Sequence, residues 1–245
     1  LAPGGGLTLT GALAVDGGTV KLDGNYPVGT GNVALGDTAL DSVEAGGTCN
    51  VAIGHHAGTA ITTGDDNTAI GALSLDANTT GSKNTAVGHL SLSSNTEGLE
   101  NTGLGRSALF TNTTGDNNVA VGRLSLFSNT TADNNTALGY QSLCANTTGC
   151  RNVSVGTSAL KSNTTAIYNT AVGYNALCTN ITGTSNSAVG ALTLDAATTG
   201  SYNAGLGYAS LSVLTTGAFN VGAGYIAGNG ITTGSNNVAL GAHSL

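Results

Sequence analysis

Arg106, Arg123, Tyr140, Tyr174, Tyr208 and Tyr225 lie seventeen residues apart or at twice that spacing, and each follows a glycine. An aromatic ring with a polar tip is suited to stacking on a sugar ring while its hydroxyl bonds outward, and a guanidinium beside it adds cation–π attraction. The six are therefore the candidate glycan-contacting residues. The plainer alternative makes the same side chains covers for the glycine that precedes them. Phe110 and Phe127, also seventeen apart, read as packing.

Other chemistry has less support. Asp65, Asp66, Asp116 and Asp133 fall at the end of the repeating unit, scattered rather than paired, and a two-carboxylate glycosidase needs acids facing each other across a cleft. No phosphate-binding loop, His-Glu-x-x-His or Ser-His-Asp arrangement stands in a plausible context, so the chain is expected not to be an enzyme and to carry no cofactor. His55 and His56 are adjacent and His89 shares the column of His55; a threefold axis could gather copies into a metal ring, but no carboxylate completes a metal pattern. No metal is expected. Cys144 and Cys150 flank one turn, where a disulfide staple competes with free thiols, whereas Cys144 and Cys178 sit two units apart, too far to bridge.

What positions these residues is a tandem repeat. Asparagine, followed four residues later by glycine, recurs from Asn32 to Asn237 every seventeen residues, with one interval of eighteen between Asn32 and Asn50. The unit reads Asn, Thr or Val, Ala, aliphatic, Gly, two variable residues, Ala or Ser, Leu, two variable, Asn-Thr-Thr-Gly and two variable. So short a unit, interrupted by Gly and Asn-Thr-Thr-Gly, cannot hold two helices; two short strands and two turns fit, one coil of a parallel β-solenoid per repeat. Residues 32–245 form this array. Residues 1–31 lie outside the period; Leu7–Thr10 and Thr19–Leu22 alternate in the manner of strands, as in a shaft or adaptor.

Each column has an expected role. Asn67, Asn84, Asn101, Asn118, Asn135, Asn152 and Asn169 would stack at about 4.8 Å as an amide ladder. Gly71, Gly88, Gly105, Gly122, Gly139, Gly156 and Gly173 would mark a corner that needs positive φ or close backbone approach. The aliphatic column (Leu35, Ile53, Ile70, Val87, Leu104, Val121, Leu138, Val155, Val172, Val189, Leu206) and the leucine column from Leu75 to Leu211 are the expected core. The small third-position residues (Ala69, Ala86, Gly103, Ala120, Ala137, Ala171, Ala188) then face outward and call for a tightly packed neighbour. With three Phe, seven Tyr and no Trp or Met, the chain has few bulky groups to finish a core alone, so a homotrimer is expected.

The strings Asn-Val-Ala-Ile-Gly at 50–54 and Asn-Thr-Ala-Val-Gly at 84–88 and 169–173 resemble the head repeats of YadA-type trimeric autotransporter adhesins. That resemblance implies a left-handed β-roll and threefold assembly. The longer repeat with Asn-Thr-Thr-Gly, together with Gly-Gly-Thr-Val-Lys-Leu-Asp-Gly at 17–24, more closely resembles the repetitive tail fibres of marine bacteriophages, including cyanophages. This implies a virion location, other tail proteins as neighbours, and a host cell-surface receptor that is a glycan or a protein. The alternative is the head of a bacterial trimeric adhesin on a cell surface.

Charged residues make up 8%, the net charge is −7, and no Lys/Arg cluster marks a nucleic-acid footprint. No stretch is apolar enough to insert in a membrane, and the missing initiator Met points to a piece of a longer polypeptide. Paired threonines such as Thr79-Thr80 and Thr147-Thr148 raise an ice-binding alternative, which needs a flat outward Thr row. The same segments give sequons at Asn78, Asn112, Asn129, Asn146, Asn163 and Asn180.

Overall fold

A computed structural model of the chain describes residues 30–245 and, ahead of them, the backbone of two short strands. These are β1 (Leu13–Val15) and β2 (Gly18–Val20), an antiparallel pair. The expected strand at 19–22 overlaps β2, whereas Leu7–Thr10 lies outside the described residues.

From β3 (Val33–Leu35) to β15 (Val238–Leu240), thirteen three-residue strands form one parallel sheet in strict sequence order. Equivalent residues pair across each step, as Ala137 does with Ser154 and Ser154 with Ala171. The fold is thus a parallel β-solenoid of seventeen-residue coils, without a helix among the described residues. The single eighteen-residue coil keeps register, since Ala34 still pairs with Ala52. Its extra residue is absorbed in the turn Glu44–Gly47, closed by Gly47 N–H donating to Glu44 O at 3.0 Å.

Each coil carries one strand, not the two expected. The far side is a run of turns in which the seventh and ninth positions are left-handed although occupied by ordinary side chains: Leu124 has φ 59° and Leu126 φ 49°. A left-handed residue costs about 1–2 kcal/mol. Full burial of the ninth-position leucine returns about 1.5–3 kcal/mol, and the inter-coil bonds continue, with Leu126 N–H donating to Ser142 O at 3.0 Å. With two such residues in each coil the cost is about 2–4 kcal/mol, which burial and pairing together offset.

The inside and outside of the strand are the reverse of the expectation. Ala69, Ala86, Ala120, Ala137, Ala171 and Ala188 are fully buried, while the fourth-position side chains point outward, Ile70 36% and Leu206 58% exposed. The reason is room. The third position faces the eighth across a thin interior, so that a Cβ placed on Gly103 would stand 2.6 Å from Ser91 Oγ. A branched side chain does not fit there. The leucine column from Leu75 to Leu211 is core, as expected, with every member fully buried.

The first-position asparagines form the expected ladder. Asn135 N–H donates to Asn118 Oδ1 at 3.0 Å, Asn135 Nδ2 donates to Gly149 O at 2.9 Å, and Asn135 Oδ1 accepts from Asn152 N–H at 3.0 Å. An aspartate would lack the donor and bury a charge. The glycine column has both properties anticipated for it: Gly139 has φ 134°, and a Cβ on it would meet Gly156 O at 2.6 Å.

Candidate functional site

The sixth-position column is built directly on that glycine corner. Past Gly139, Gly173, Gly207 and Gly224 the chain turns, and the seventh-position N–H of each coil donates to the sixth-position carbonyl of the coil before. Ile226 N–H, for example, reaches Tyr208 O at 2.9 Å. This bond sets Tyr208 and Tyr225 over one another, ring centroids 5.5 Å apart and planes 14° from parallel. Arg123 lies over the ring of Tyr140, its guanidinium carbon 5.7 Å from the centroid. All four tyrosines and both Arg106 and Arg123 are exposed.

The structure does not join these six into one patch. Arg106 stacks on no ring. Tyr174 stands alone between coils that carry Thr157 and Ala191 in the same column. In the Tyr208–Tyr225 pair each ring covers one face of the other, and His243 makes a T-shaped contact with Tyr225 at 5.3 Å and 74°. The arrangement therefore leaves few ring faces free for a ligand: both faces of Tyr174, and one face each of Tyr140 and Tyr208.

A second aromatic column went unnoticed in the sequence. At the seventeenth position Tyr202 and Phe219 stack at 4.9 Å and 2°, both exposed. In the same column Arg151 lies over Tyr168 at 5.6 Å and donates to its hydroxyl at 3.1 Å. The signal was present, since both pairs are seventeen apart, but the residue types change from Arg to Tyr to Phe and hide the column. Phe110 and Phe127 stack at 5.1 Å, consistent with packing.

The remaining candidates have structural tasks. Asp65 Oδ1 accepts from Thr48 N–H, Asp116 Oδ1 from Leu99 N–H and Asp133 Oδ1 from Asp116 N–H, so these sixteenth-position carboxylates cap the backbone of the preceding coil. Ser82 and Ser201 do the same with a hydroxyl. His55 lies 3.7 Å from Asp37, and His56 Nδ1 is 2.8 Å from Thr38 Oγ1. Among the described residues no group of three or more His, Cys, Asp or Glu gathers as a metal-ligand set. All four cysteines are free, so the staple between Cys144 and Cys150 is not made. Burial pushes the Cys144 and Cys178 thiols up, against the opposing pull of the Lys161 ammonium between them.

The Asn-Thr-Thr-Gly segment hides a second amide ladder. Asn95 Nδ2 donates to Asn78 Oδ1 at 2.7 Å, and the series continues coil by coil to Asn180, which donates to Asn163 Oδ1 at 3.0 Å. Each of these asparagines also donates to a carbonyl three residues on, as Asn146 does to Gly149 at 2.9 Å. Asn78, Asn112, Asn129, Asn146, Asn163 and Asn180 are fully buried, so these six sequons offer no amide to a glycan in the folded array. The first threonine of each pair before the last bonds the next coil, Thr130 Oγ1 to Thr147 O at 3.1 Å, and is half-buried, whereas the second faces solvent. An ice-binding row loses half of its hydroxyls to this bond.

No protein-family model, curated protein or solved structure matches this chain. No helix among the described residues is long and apolar enough to cross a membrane.

Proposed function

We propose that the chain is a rigid, trimeric rod segment of a fibre on a virus particle, joined to other tail proteins, that holds or forms a surface contacting glycans or proteins of a host cell. The observation that carries the trimer is the outward face of the sheet. Its second and fourth positions, from Val33 to Leu240, include no charged residue in thirteen strands. Flat, uncharged and partly aliphatic, this face is larger than the scattered apolar residues a monomer normally exposes. Only an object with the same axial repeat matches it strand for strand, and a further copy of the chain has that repeat. Three copies turned toward one axis cover every such face. The trimer thus rests on the aliphatic column and not on the buried alanines.

The virus-borne setting rests on the resemblance of the repeat strings to tail fibres. A non-enzymatic role is supported by the carboxylates of Asp65, Asp116 and Asp133, which are engaged by backbone N–H groups. Light scattering should give three times the chain mass, and electron micrographs a rod whose array is about 60 Å long at the strand spacing. Val172→Lys, on the outward face, should release folded monomers. A monomeric mass for the folded, unsubstituted chain would remove the trimer.

A further inference from the structure

On five successive coils the sixth position alternates ring and small side chain: Tyr140, Thr157, Tyr174, Ala191, Tyr208. The backbone does not wander there. Asn175 N–H donates to Thr157 O at 3.1 Å, Leu192 N–H to Tyr174 O at 2.9 Å and Ala209 N–H to Ala191 O at 2.9 Å, so these residues stack in register. Tyr174 and Tyr208 are therefore separated by two coil rises, roughly 9.6 Å, with only a methyl group between them.

We infer that each interruption is a slot for one pyranose ring, held between Tyr174 and Tyr208 above Ala191, and between Tyr140 and Tyr174 above Thr157. This rests on the reading of the array as a fibre that meets host glycans. Thickness selects the guest. A flat aromatic ring in contact with both walls fills about 7–8 Å at carbon–carbon contacts of about 3.5–4.0 Å and leaves a gap. A puckered saturated ring, with C–H groups on both faces, is thicker by roughly an ångström and fits more closely.

Polarity selects it as well. The slot positions carry no charge, which favours a neutral guest. Tyr174 is 56% and Tyr208 47% exposed, and neither phenol hydroxyl has a hydrogen-bond partner among the described residues, leaving both to bond sugar hydroxyls. The outer face of Tyr140 is already taken by Arg123 at 5.7 Å, so the face toward Thr157 is the one it offers. Tyr174 serves both slots.

Saturation-transfer NMR on the full chain, with the methyl pyranosides of glucose, galactose, mannose and N-acetylglucosamine as probes, tests this. At least one should receive saturation at its ring C–H protons. Ala191→Tyr, which gives coil ten the residue its neighbours carry, should about halve the signal. Adding Thr157→Tyr should abolish it, as should Tyr174→Ala alone, while Tyr202→Ala, in the seventeenth-position column, leaves it unchanged. Unaltered melting temperatures would show that the variants fold. The slots are overturned if no probe is saturated, or if the Thr157→Tyr/Ala191→Tyr variant keeps its signal. Either result leaves the trimeric rod standing if the mass and micrographs support it, so the two failures are distinguishable.

Discussion

From Asn78 to Asn180 the twelfth position is an amide in every coil, whereas in the next three coils Ala197, Leu214 and Ile231 take its place, with Val43 and Ile61 doing so on the other side. The two regions share the glycine corner and first-position ladder and differ in how the interior is filled, since beside Ile61 and Ile231 the ninth position is also Gly58 and Gly228 in place of leucine. The amide column is directional: each Nδ2 donates to the Oδ1 of the coil before. At its start Asn78 Oδ1 still has Asn95 as donor, so the step from Ile61 leaves no acceptor unmet. At its end Ala197 has nothing to donate, and Asn180 Oδ1 is buried without a partner. A polar column therefore gives up one of two amide hydrogens where it begins and strands a whole acceptor where it stops, and an apolar column has no such asymmetry.

The largest effect should be common to both regions. A Cβ would stand 2.6 Å from Gly156 O at Gly139 and 2.5 Å from Gly224 O at Gly207, with φ 134° and 119°. Gly139→Ala and Gly207→Ala should each cost upward of about 3 kcal/mol in urea denaturation. A clear difference between them would show that the glycine corner itself is not equivalent in the two regions.

The ladder itself gives the next effect. Asn129→Ala, in mid-ladder, strands Asn112 Oδ1 and should cost about 2–4 kcal/mol. Asn180→Ala removes one unmet acceptor while creating another on Asn163, so it should cost about 1–2 kcal/mol less than the mid-ladder change. Ala197→Asn moves the same orphan one coil onward and should stay within about 1 kcal/mol of neutral. Equal costs for Asn129→Ala and Asn180→Ala, read from the same titration, would break the comparison.

The smallest effect concerns Asp195, beside the ladder's end, whose Oδ1 is also buried and unpaired. Burial holds its carboxyl above the ordinary 3.8, opposed by backbone N–H groups of Asp195 and Ala196. Folding thus favours the protonated form: this contribution to stability is present below 3.8 and is lost as pH rises through the raised folded value. Asp195→Asn should give a small rise in melting temperature at neutral pH. It should also remove the part of the pH dependence that lies just above the ordinary carboxylate range, as a melting series across that range would show.

The period, the parallel solenoid, the first-position ladder and the glycine corner were legible because the Asn and Gly columns recur in every coil from Asn32 to Gly241, with a single interval of eighteen among seventeens. The orientation of the strand was not. Alternation says that third and fourth positions face opposite ways, but only the width of the interior says which is inside, and that width depends on Ser91 and its equivalents five positions further along the coil. The second strand was expected because seventeen residues have room for two strands and two turns; left-handed turns at Leu73, Leu75 and their equivalents, held by inter-coil bonds, occupy that side instead. The candidate tyrosines were legible as a column, yet their covered faces were not, since stacking depends on which coils lack a ring.

The turn Glu44–Gly47 holds one residue more than its equivalents, and the sheet beyond it does not notice. Every later coil has the same turn at the same height, with its second threonine, where present, facing solvent. The array is thereby a ruler with a docking port on each graduation. Short peptides grafted after the thirteenth position of chosen coils would be displayed at multiples of about 4.8 Å along one edge, with the count of coils, not a flexible tether, setting the distance between them.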